Sequence, residues 1–187
     1  MAKKPGLGIV VKDKGIATIL HHMQLMVPPN QRSYAWTDSH VRTLYEDLSS
    51  AISKGNEAYF LGTIVLTQGA ADRLEVADGQ QRLATTSILI AAIRDHLEIE
   101  GGVAEKKAAN SLTGDFLLKY ELKSGENIPK LQLNYEDNEY FSRRILLGPN
   151  ESEREKIKPT TLSHERLKRA EARSNRRQAG TVSGTSC

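Results

Sequence analysis

Large apolar residues recur at helical spacing in three parts of the chain. The spacing predicts a short helix over 16–26, a second helix that begins near Asp38, and a long helix over 80–99. The predicted buried stripe of the second helix is Val41, Leu44, Tyr45, Leu48 and Ile52. The long helix is apolar on nearly every side around residues 88–90, so we expect it to lie at the centre of the fold.

β-Branched and aromatic residues are concentrated in the segment 59–68, and a turn-like stretch separates this segment from 73–77. The two segments therefore predict a β-hairpin. The pattern elsewhere is weaker, and it predicts short strands over 7–11, 116–122 and 130–133 and short helical segments over 104–109 and 137–146.

The apolar pattern weakens again after Gly148. Residues 149–187 contain no aromatic residue, and their large aliphatic residues are Ile157, Leu162, Leu167 and Val182. A segment this polar buries too little surface to offset the entropy lost on ordering. We therefore expect a flexible lead-in over 1–15, a folded domain over 16–148, and a basic tail over 149–187 that is mobile or truncated, with at most a marginal helix.

Composition narrows the class of protein. The chain has 187 residues, of which 39% are apolar, and this suits a single globular domain. Its longest unbroken apolar stretch, residues 88–93, is far shorter than the roughly 20 residues needed to cross a bilayer. No apolar segment of signal-peptide length follows Lys3 and Lys4, so we expect a cytoplasmic protein that does not contact membranes.

The net charge of +3 is too small to indicate nucleic-acid binding by itself. Residues 151–187 contain nine Lys or Arg against five Asp or Glu, so the basic excess lies entirely in the tail. Basic residues between Arg166 and Arg177 are the ones that can contact phosphates of DNA.

The segment 78–82, Asp-Gly-Gln-Gln-Arg, carries the strongest candidate chemistry. It lies where a predicted strand turns into the long helix, so the unpaired N–H groups and the positive dipole end of that helix lie beside it. Gly79 lets a phosphate approach the backbone, Arg82 supplies a bidentate charge, and the two amides supply groups that orient a water molecule. The segment predicts an anion site. The structural alternative is that Asp78 is only the N-cap of the helix.

A second candidate segment, residues 27–36, follows the first predicted helix and is stiffened by two prolines. It carries four polar or aromatic side chains of interest, namely Gln31, Arg32, Tyr34 and Trp36. Its Gln-Arg pair repeats the pair at 81–82, which suggests that two loops present amide and guanidinium groups to one polyanionic ligand. The structural alternative for the two aromatic residues is that they close the edge of the core.

Four segments in a fixed order carry a further signal. They are 29–36 (Pro-Asn-Gln-Arg-Ser-Tyr-Ala-Trp), 44–48, 59–66 (Tyr-Phe-Leu-Gly-Thr-Ile-Val-Leu) and 78–85 (Asp-Gly-Gln-Gln-Arg-Leu-Ala-Thr). Their order and spacing resemble the N-terminal domain of GmrSD-type restriction enzymes. The likeness continues weakly through 130–133 and 137–141, and it covers about residues 16–147.

The resemblance implies an α+β fold of the ParB-like, sulfiredoxin-like nuclease superfamily, with a small mixed sheet and packed helices. It also implies that the Asp-Gly-Gln-Gln-Arg motif binds and hydrolyses a nucleoside triphosphate, with Mg²⁺ held through the triphosphate rather than by a protein cage. In related proteins this hydrolysis licenses cleavage of modified foreign DNA, which defends the cell against phage.

Site residues follow from the resemblance position by position. The expected catalytic residues are Asp78, Gln80, Gln81 and Arg82, and the expected nucleotide-binding residues are Gln31, Arg32, Gly79 and Arg82. We assign contact with DNA or another ligand to Tyr34 and Trp36. The two arginines are expected to neutralise developing charge, one of the glutamines to orient the attacking water, and Asp78 to cap the turn or hold a magnesium-bound water.

The chain departs from the family pattern in two ways. Asn30 stands where the family usually has an aromatic residue before Gln-Arg, and no His-Asn-His nuclease module is present. The histidines show no metal-ligand spacing, and the single Cys excludes a zinc ribbon, so we expect no protein metal site. A nuclease is then expected in a separate domain or subunit.

Two other functions stay open at this point. The first is a non-catalytic DNA-binding or regulatory module of a defence system, whose binding depends on residues 151–187. The second is an accessory protein that forms a homodimer through the long apolar helix.

Overall fold

A computed structural model of the protein describes residues 10–56, 59–70 and 73–182, with side chains up to Asn175. The helices are α1 (Ile16–His22), α2 (Asp38–Ser53), α3 (Gln80–Glu100), α4 (Val103–Leu112), α5 (Asn138–Tyr140) and α6 (Leu162–Val182). The strands are β1 (Leu25–Met26), β2 (Val65–Gln68), β3 (Leu74–Asp78), β4 (Leu118–Glu121), β5 (Glu126–Pro129) and β6 (Leu131–Gln132). Shorter turns of helix are a π-helical turn at Thr113–Leu117, a second at Phe141–Leu146, and a 3₁₀ turn at Arg154–Lys156.

Four strands form a small mixed sheet in the order β2-β3-β1-β6. β1 pairs in parallel with β3 and β6, and β2 pairs antiparallel with β3, as the predicted hairpin requires. β4 and β5 form a separate antiparallel hairpin. The fold is therefore mixed α+β with a small sheet and packed helices, as expected. β3 lies inside the sheet, so its last residue, Asp78, is held in place on the way into α3.

The long helix α3 lies at the centre of the fold. It packs against α4 and α6, and its fully buried residues include Leu83 and Ile88. Because helices of the same chain cover its apolar surface, α3 does not need a second copy of the chain to bury it. The expected homodimer through this helix stays a prediction.

Several predicted elements differ from the observed ones in extent or in burial. α1 ends at His22, because Leu25 and Met26 leave the helix to join the sheet. The predicted hairpin shortens to 65–68 and 74–78. Ile52, predicted in the buried stripe of α2, is 79% exposed, because Ala51 is the buried residue of the last turn. The predicted strand over 7–11 lies mostly outside the described residues.

The expected mobile tail is wrong for residues 162–175. α6 is 21 residues long, packs against α3 and α2, and buries Leu167 and Ala170. This segment has few apolar residues, which is why the sequence predicted that it is mobile. Many of the residues that it buries are instead polar, and they include Arg154, Glu171 and Ser174. The folded part of the chain thus continues past residue 148.

A buried ion network attaches this region to α3. The Arg154 guanidinium lies 2.6 Å from the carboxylate of Asp95 and 2.7 Å from that of Glu171. Asp95 also accepts a 2.6 Å hydrogen bond from Nε of Arg94. The charges balance, and removal of one partner leaves a buried charge uncompensated, which costs several kcal/mol. Ion pairs thus replace part of the apolar packing that the sequence lacks here.

Candidate functional site

The loop 28–36 and the start of α3 lie in direct contact, and Gln81 joins them. Its Oε1 accepts hydrogen bonds from the backbone N–H groups of Ala35 at 2.8 Å and Trp36 at 3.3 Å. Its Nε2 donates to the carbonyl of Ser33 at 3.4 Å. The structure thus brings together the two segments that the sequence proposed to face one ligand.

The same contacts give Gln81 a structural role. Its side chain is 7% exposed, and both ends of its amide are occupied by the loop. Because its Oε1 accepts two backbone hydrogen bonds and its side chain is buried, Gln81 is less free than Gln80 to change its partners. Gln81 therefore fixes the loop against α3, and its expected catalytic role stays a prediction.

Gly79 and Asp78 define how α3 begins. Gly79 is the N-cap, with φ of +94°, and a Cβ at this position would lie 2.9 Å from Cγ1 of Ile64. No side chain caps the first turn of α3. Asp78 is exposed at the end of β3, and its carboxylate makes no hydrogen bond or ion pair to the described residues. The alternative that Asp78 is the N-cap is therefore wrong.

Arg82 is half-buried and turns away from the loop toward the segment before β2. Its Nη1 donates to the carbonyls of Leu61 at 3.2 Å and Thr63 at 2.9 Å. Gly62 between them has φ of +100°, and a Cβ there would lie 2.1 Å from the same nitrogen. Arg82 therefore stabilises a bend of the backbone at Gly62. Residues 59–64 accordingly lie outside the strand that was predicted to include them. Its charge remains fixed beside the first turn of α3.

Three polar side chains remain at the surface of the junction. The guanidinium of Arg32 is exposed and makes no hydrogen bond or ion pair to the part of the chain that is described. Gln31 donates to the carbonyl of Ala77 at 3.4 Å, and Gln80 donates to the carbonyl of Arg32 at 3.4 Å. Both distances lie beyond the usual range for N–H···O hydrogen bonds, so these amides can exchange their partners for a ligand.

A small cavity lies between the loop and α3, and it has a volume of about 10 Å³. Its lining residues are Val27, Arg32, Tyr34, Gln80, Gln81, Ala84, Leu133, Asn134 and Asp137. This volume accommodates one water molecule, and a triphosphate is far larger. The small cavity is therefore too small to enclose a polyphosphate.

Tyr34 belongs to the core, which corrects its assignment as a DNA-contacting or ligand-contacting residue. Its side chain is 2% exposed, and burial raises the pKa of its hydroxyl. The hydroxyl lies 2.8 Å from Oγ1 of Thr85, which itself donates to the carbonyl of Gln81, so Tyr34 is the donor. The structural alternative stated for the aromatic pair is thus correct for Tyr34.

Trp36, in contrast, is half-buried and borders an open cleft of about 290 Å³. Its ring stacks on His40 with centroids 5.8 Å apart. The other lining residues are Ser39, Thr43, Leu44, Asp47, Tyr59, Leu61 and Arg82. Arg82 lines this cleft and also belongs to the Asp-Gly-Gln-Gln-Arg motif, so the cleft adjoins the start of α3.

Asn134 and Asp137 also belong to the site, although the sequence did not single them out. Asn134 donates to the carbonyl of Gln31 at 2.9 Å, and Asp137 accepts from the N–H of Tyr34 at 2.6 Å. Both residues line the small cavity. The only sequence signal is a cluster of short polar residues after a predicted strand, which is typical of turns and does not by itself indicate function.

Two absences apply to the described ranges only. Within them, no three His, Cys, Asp or Glu residues lie close enough together to hold a metal ion. None of the helices found there is sufficiently long and apolar to span a membrane.

These features define a small α+β domain whose candidate site is a strand-to-helix junction faced by a proline-stiffened loop. The family model for the N-terminal domain of the GmrSD restriction endonuclease matches residues 16–183. The chain therefore belongs to this family and is a component of a restriction system. The match includes α6, in agreement with the packing of residues 162–175. A search of curated proteins gave no match.

Proposed function

We propose that the domain binds and hydrolyses a nucleoside triphosphate and acts as the sensor of a modification-dependent DNA restriction system. The observation that carries this proposal is the start of α3, where a first turn without a side-chain cap adjoins the unpaired charges of Asp78 and Arg32. A helix start of this kind favours phosphate, because N–H groups and the helix dipole both point at it.

The phosphates are proposed to lie over residues 79–82. Gly79 presents no side chain there, and Arg32 supplies a positive charge that no described residue neutralises. Arg82 keeps its carbonyl contacts and contributes through its fixed charge. We assign the nucleobase to the cleft beside Trp36, because an open cavity of about 290 Å³ with an aromatic wall accommodates a planar ring.

Gln80 is the glutamine that orients the attacking water in this proposal. It is half-buried, lines the small cavity, and makes one long hydrogen bond of 3.4 Å that a water molecule can replace. Mg²⁺ would arrive with the triphosphate, and the unpaired carboxylate of Asp78 is suited to a magnesium-bound water. The ion supplies neutralisation of phosphate charge.

The wider role follows from the family. We propose a ParB-like, sulfiredoxin-like fold and a cytoplasmic location. We also propose that hydrolysis in this domain licenses cleavage of modified DNA by a separate nuclease domain or subunit.

Phosphate release and nucleotide-dependent thermal shift test the proposal. The wild type should release phosphate from a Mg²⁺-triphosphate and gain thermal stability with it. Arg32→Ala should bind at least about tenfold more weakly, since a charge-assisted contact contributes roughly 1.5–3 kcal/mol. Asp78→Ala should lose turnover more than binding. Lys106→Ala is the matched control, because exposed Lys106 lies in α4, beyond the far end of α3. A wild type without any response to nucleotide would refute the proposal.

A DNA-binding module without turnover is the second candidate, and the exposed Lys168 and Arg169 of α6 favour it. Deletion of residues 151–187 is a poor test, because it removes buried α6 side chains. Charge reversal at Lys168 and Arg169 leaves the core intact. If this candidate is correct, reversal should weaken DNA retention and reduce its salt dependence, while nucleotide should have no effect.

A further inference from the structure

One carboxylate near the site has an unused oxygen. Asp137 is 1% exposed, and its Oδ2 accepts a 2.6 Å hydrogen bond from the N–H of Tyr34. Its Oδ1 is buried and has no hydrogen-bond partner among the described residues. A buried carboxylate oxygen without a partner is costly, so its presence requires an explanation beyond packing.

The carboxylate is also rigidly placed. The N–H of Asp137 donates to Oδ1 of Asn134 at 3.1 Å, and its carbonyl accepts from the N–H of Phe141 at 2.9 Å. Asn134 in turn donates to the loop at the carbonyl of Gln31. Backbone and side chain are thus both fixed. These contacts use every polar group of Asp137 except Oδ1, so a purely structural role accounts for Oδ2 and not for Oδ1.

The surroundings of Asp137 connect it to the proposed triphosphate site. It lines the cavity of about 10 Å³, which has room for one water molecule, and Gln80 and Arg32 line the same cavity. Gln80 and Arg32 both reach the surface over the first turn of α3. No ion pair joins Arg32 to Asp137 within the described ranges. A water molecule in this cavity would have Asp137, Gln80 and Arg32 among the residues around it.

We propose that Asp137 is the general base of triphosphate hydrolysis. This inference rests on the function proposed above. The water in the cavity donates one hydrogen bond to Oδ1 of Asp137, and Gln80 orients it. Its oxygen forms a bond to the γ-phosphorus while the bond from that phosphorus to the β,γ-bridging oxygen breaks. The nucleoside diphosphate leaves with the electron pair, the water proton passes to Oδ1, and the resulting acid later returns this proton to solvent.

The test separates turnover from binding. Asp137→Asn keeps the shape of the side chain and an oxygen that accepts from Tyr34, but it cannot take up a proton. General-base catalysis contributes about 100-fold to 10,000-fold. ATP, CTP, GTP and UTP are assayed in parallel with Mg²⁺, and we expect kcat for each one that the wild type hydrolyses to fall at least about 100-fold. The Kd of a non-hydrolysable analogue should change less than about threefold, which is under 1 kcal/mol. Asp115→Asn is the matched control, because Asp115 is a half-exposed carboxylate that lines neither cavity.

A second variant tests the proton acceptor independently of Asp137→Asn. Asp137→Ala opens space for a small carboxylate, so added formate should restore at least tenfold of the lost kcat, without any such gain in the wild type. A structural role alone gives no rescue by formate. Circular dichroism and thermal unfolding report whether each variant is folded at the assay temperature.

The outcomes distinguish the two proposals. If the wild type neither binds nor hydrolyses triphosphate, the proposed function fails and this inference fails with it. If the wild type hydrolyses triphosphate and Asp137→Asn does so within threefold of it, only the role of Asp137 is overturned. Parallel loss of analogue binding and turnover in Asp137→Asn, with no rescue of Asp137→Ala by formate, also overturns that role.

Discussion

The adjacent glutamines of the motif should separate cleanly into one structural and one functional residue. Gln81→Ala removes an acceptor that serves two N–H groups of the loop and leaves a gap at a position that is 7% exposed. Gln80→Ala removes one 3.4 Å hydrogen bond at a half-buried position. The two substitutions are chemically identical, so each serves as the control for the other.

The magnitudes follow from these contacts. An unsatisfied N–H in a largely buried site costs about 1–3 kcal/mol. The loss of the longer hydrogen bond from Trp36 and the space left by the missing side chain add to this cost. We expect Gln81→Ala to lower the free energy of unfolding by about 3 kcal/mol, which is a fall in Tm of roughly 6–12 °C for a domain of this size. Gln80→Ala should cost less than about 0.5 kcal/mol, because surface substitutions usually do.

Urea unfolding followed by circular dichroism measures the first effect, and phosphate release measures the second. Gln80→Ala should lose turnover while its unfolding midpoint stays near that of the wild type. Gln81→Ala should keep measurable turnover at temperatures where it is folded. A stable Gln81→Ala together with a strongly destabilised Gln80→Ala would show that the assignment of the two side chains is reversed.

Three further predictions concern stability. Gly62→Ala should lower the free energy of unfolding in urea by about 1–3 kcal/mol, because Gly62 has a positive φ and the new Cβ would lie 2.1 Å from Nη1 of Arg82. The loss should be smaller in a chain that already carries Arg82→Ala. Glu171→Gln should cost about 3–5 kcal/mol, because it removes the charged partner of the buried Arg154 and the partly buried Arg144. Glu155→Gln at the exposed edge of the network should cost less than about 0.5 kcal/mol, and equal losses would contradict this. Burial raises the pKa of Tyr140 from 10.0 to about 12, so the tyrosine ionises first in the unfolded state and the free energy of unfolding falls as the pH rises from 10 toward 12. Tyr140→Phe should reduce this loss. It should cost little stability near neutral pH, since the hydroxyl has no partner among the described residues.

The sequence predicted the elements whose hydrophobic period is strong. α2, α3 and the β2–β3 hairpin were confirmed, because apolar spacing and β-branched runs report directly which face is buried. The family was also confirmed, because four motifs in order are far more specific than any one of them.

Other features depend on contacts that composition does not encode. Neighbouring residues on a helix point about 100° apart, so the sequence does not show which of Gln80 and Gln81 faces the loop. The sequence did not predict that α6 packs on the domain, because its attachment relies on the charged residues Arg154 and Glu171, and a count of apolar residues treats these as exposed to solvent. The sequence did not single out Asp137, because the feature that distinguishes it is a buried Oδ1 without a hydrogen-bond partner among the described residues, and only the structure reveals this.

The central claim is that a triphosphate binds over the first turn of α3. Its most direct test is amide NMR of the labelled 20.7 kDa protein during titration with a Mg²⁺-bound non-hydrolysable triphosphate. The largest shifts should fall on the amides of residues 79–82 and on the Arg32 loop, and Arg32→Ala should weaken the response while Lys106→Ala should not. Shifts confined to α6, or spectra that nucleotide leaves unchanged, would contradict it.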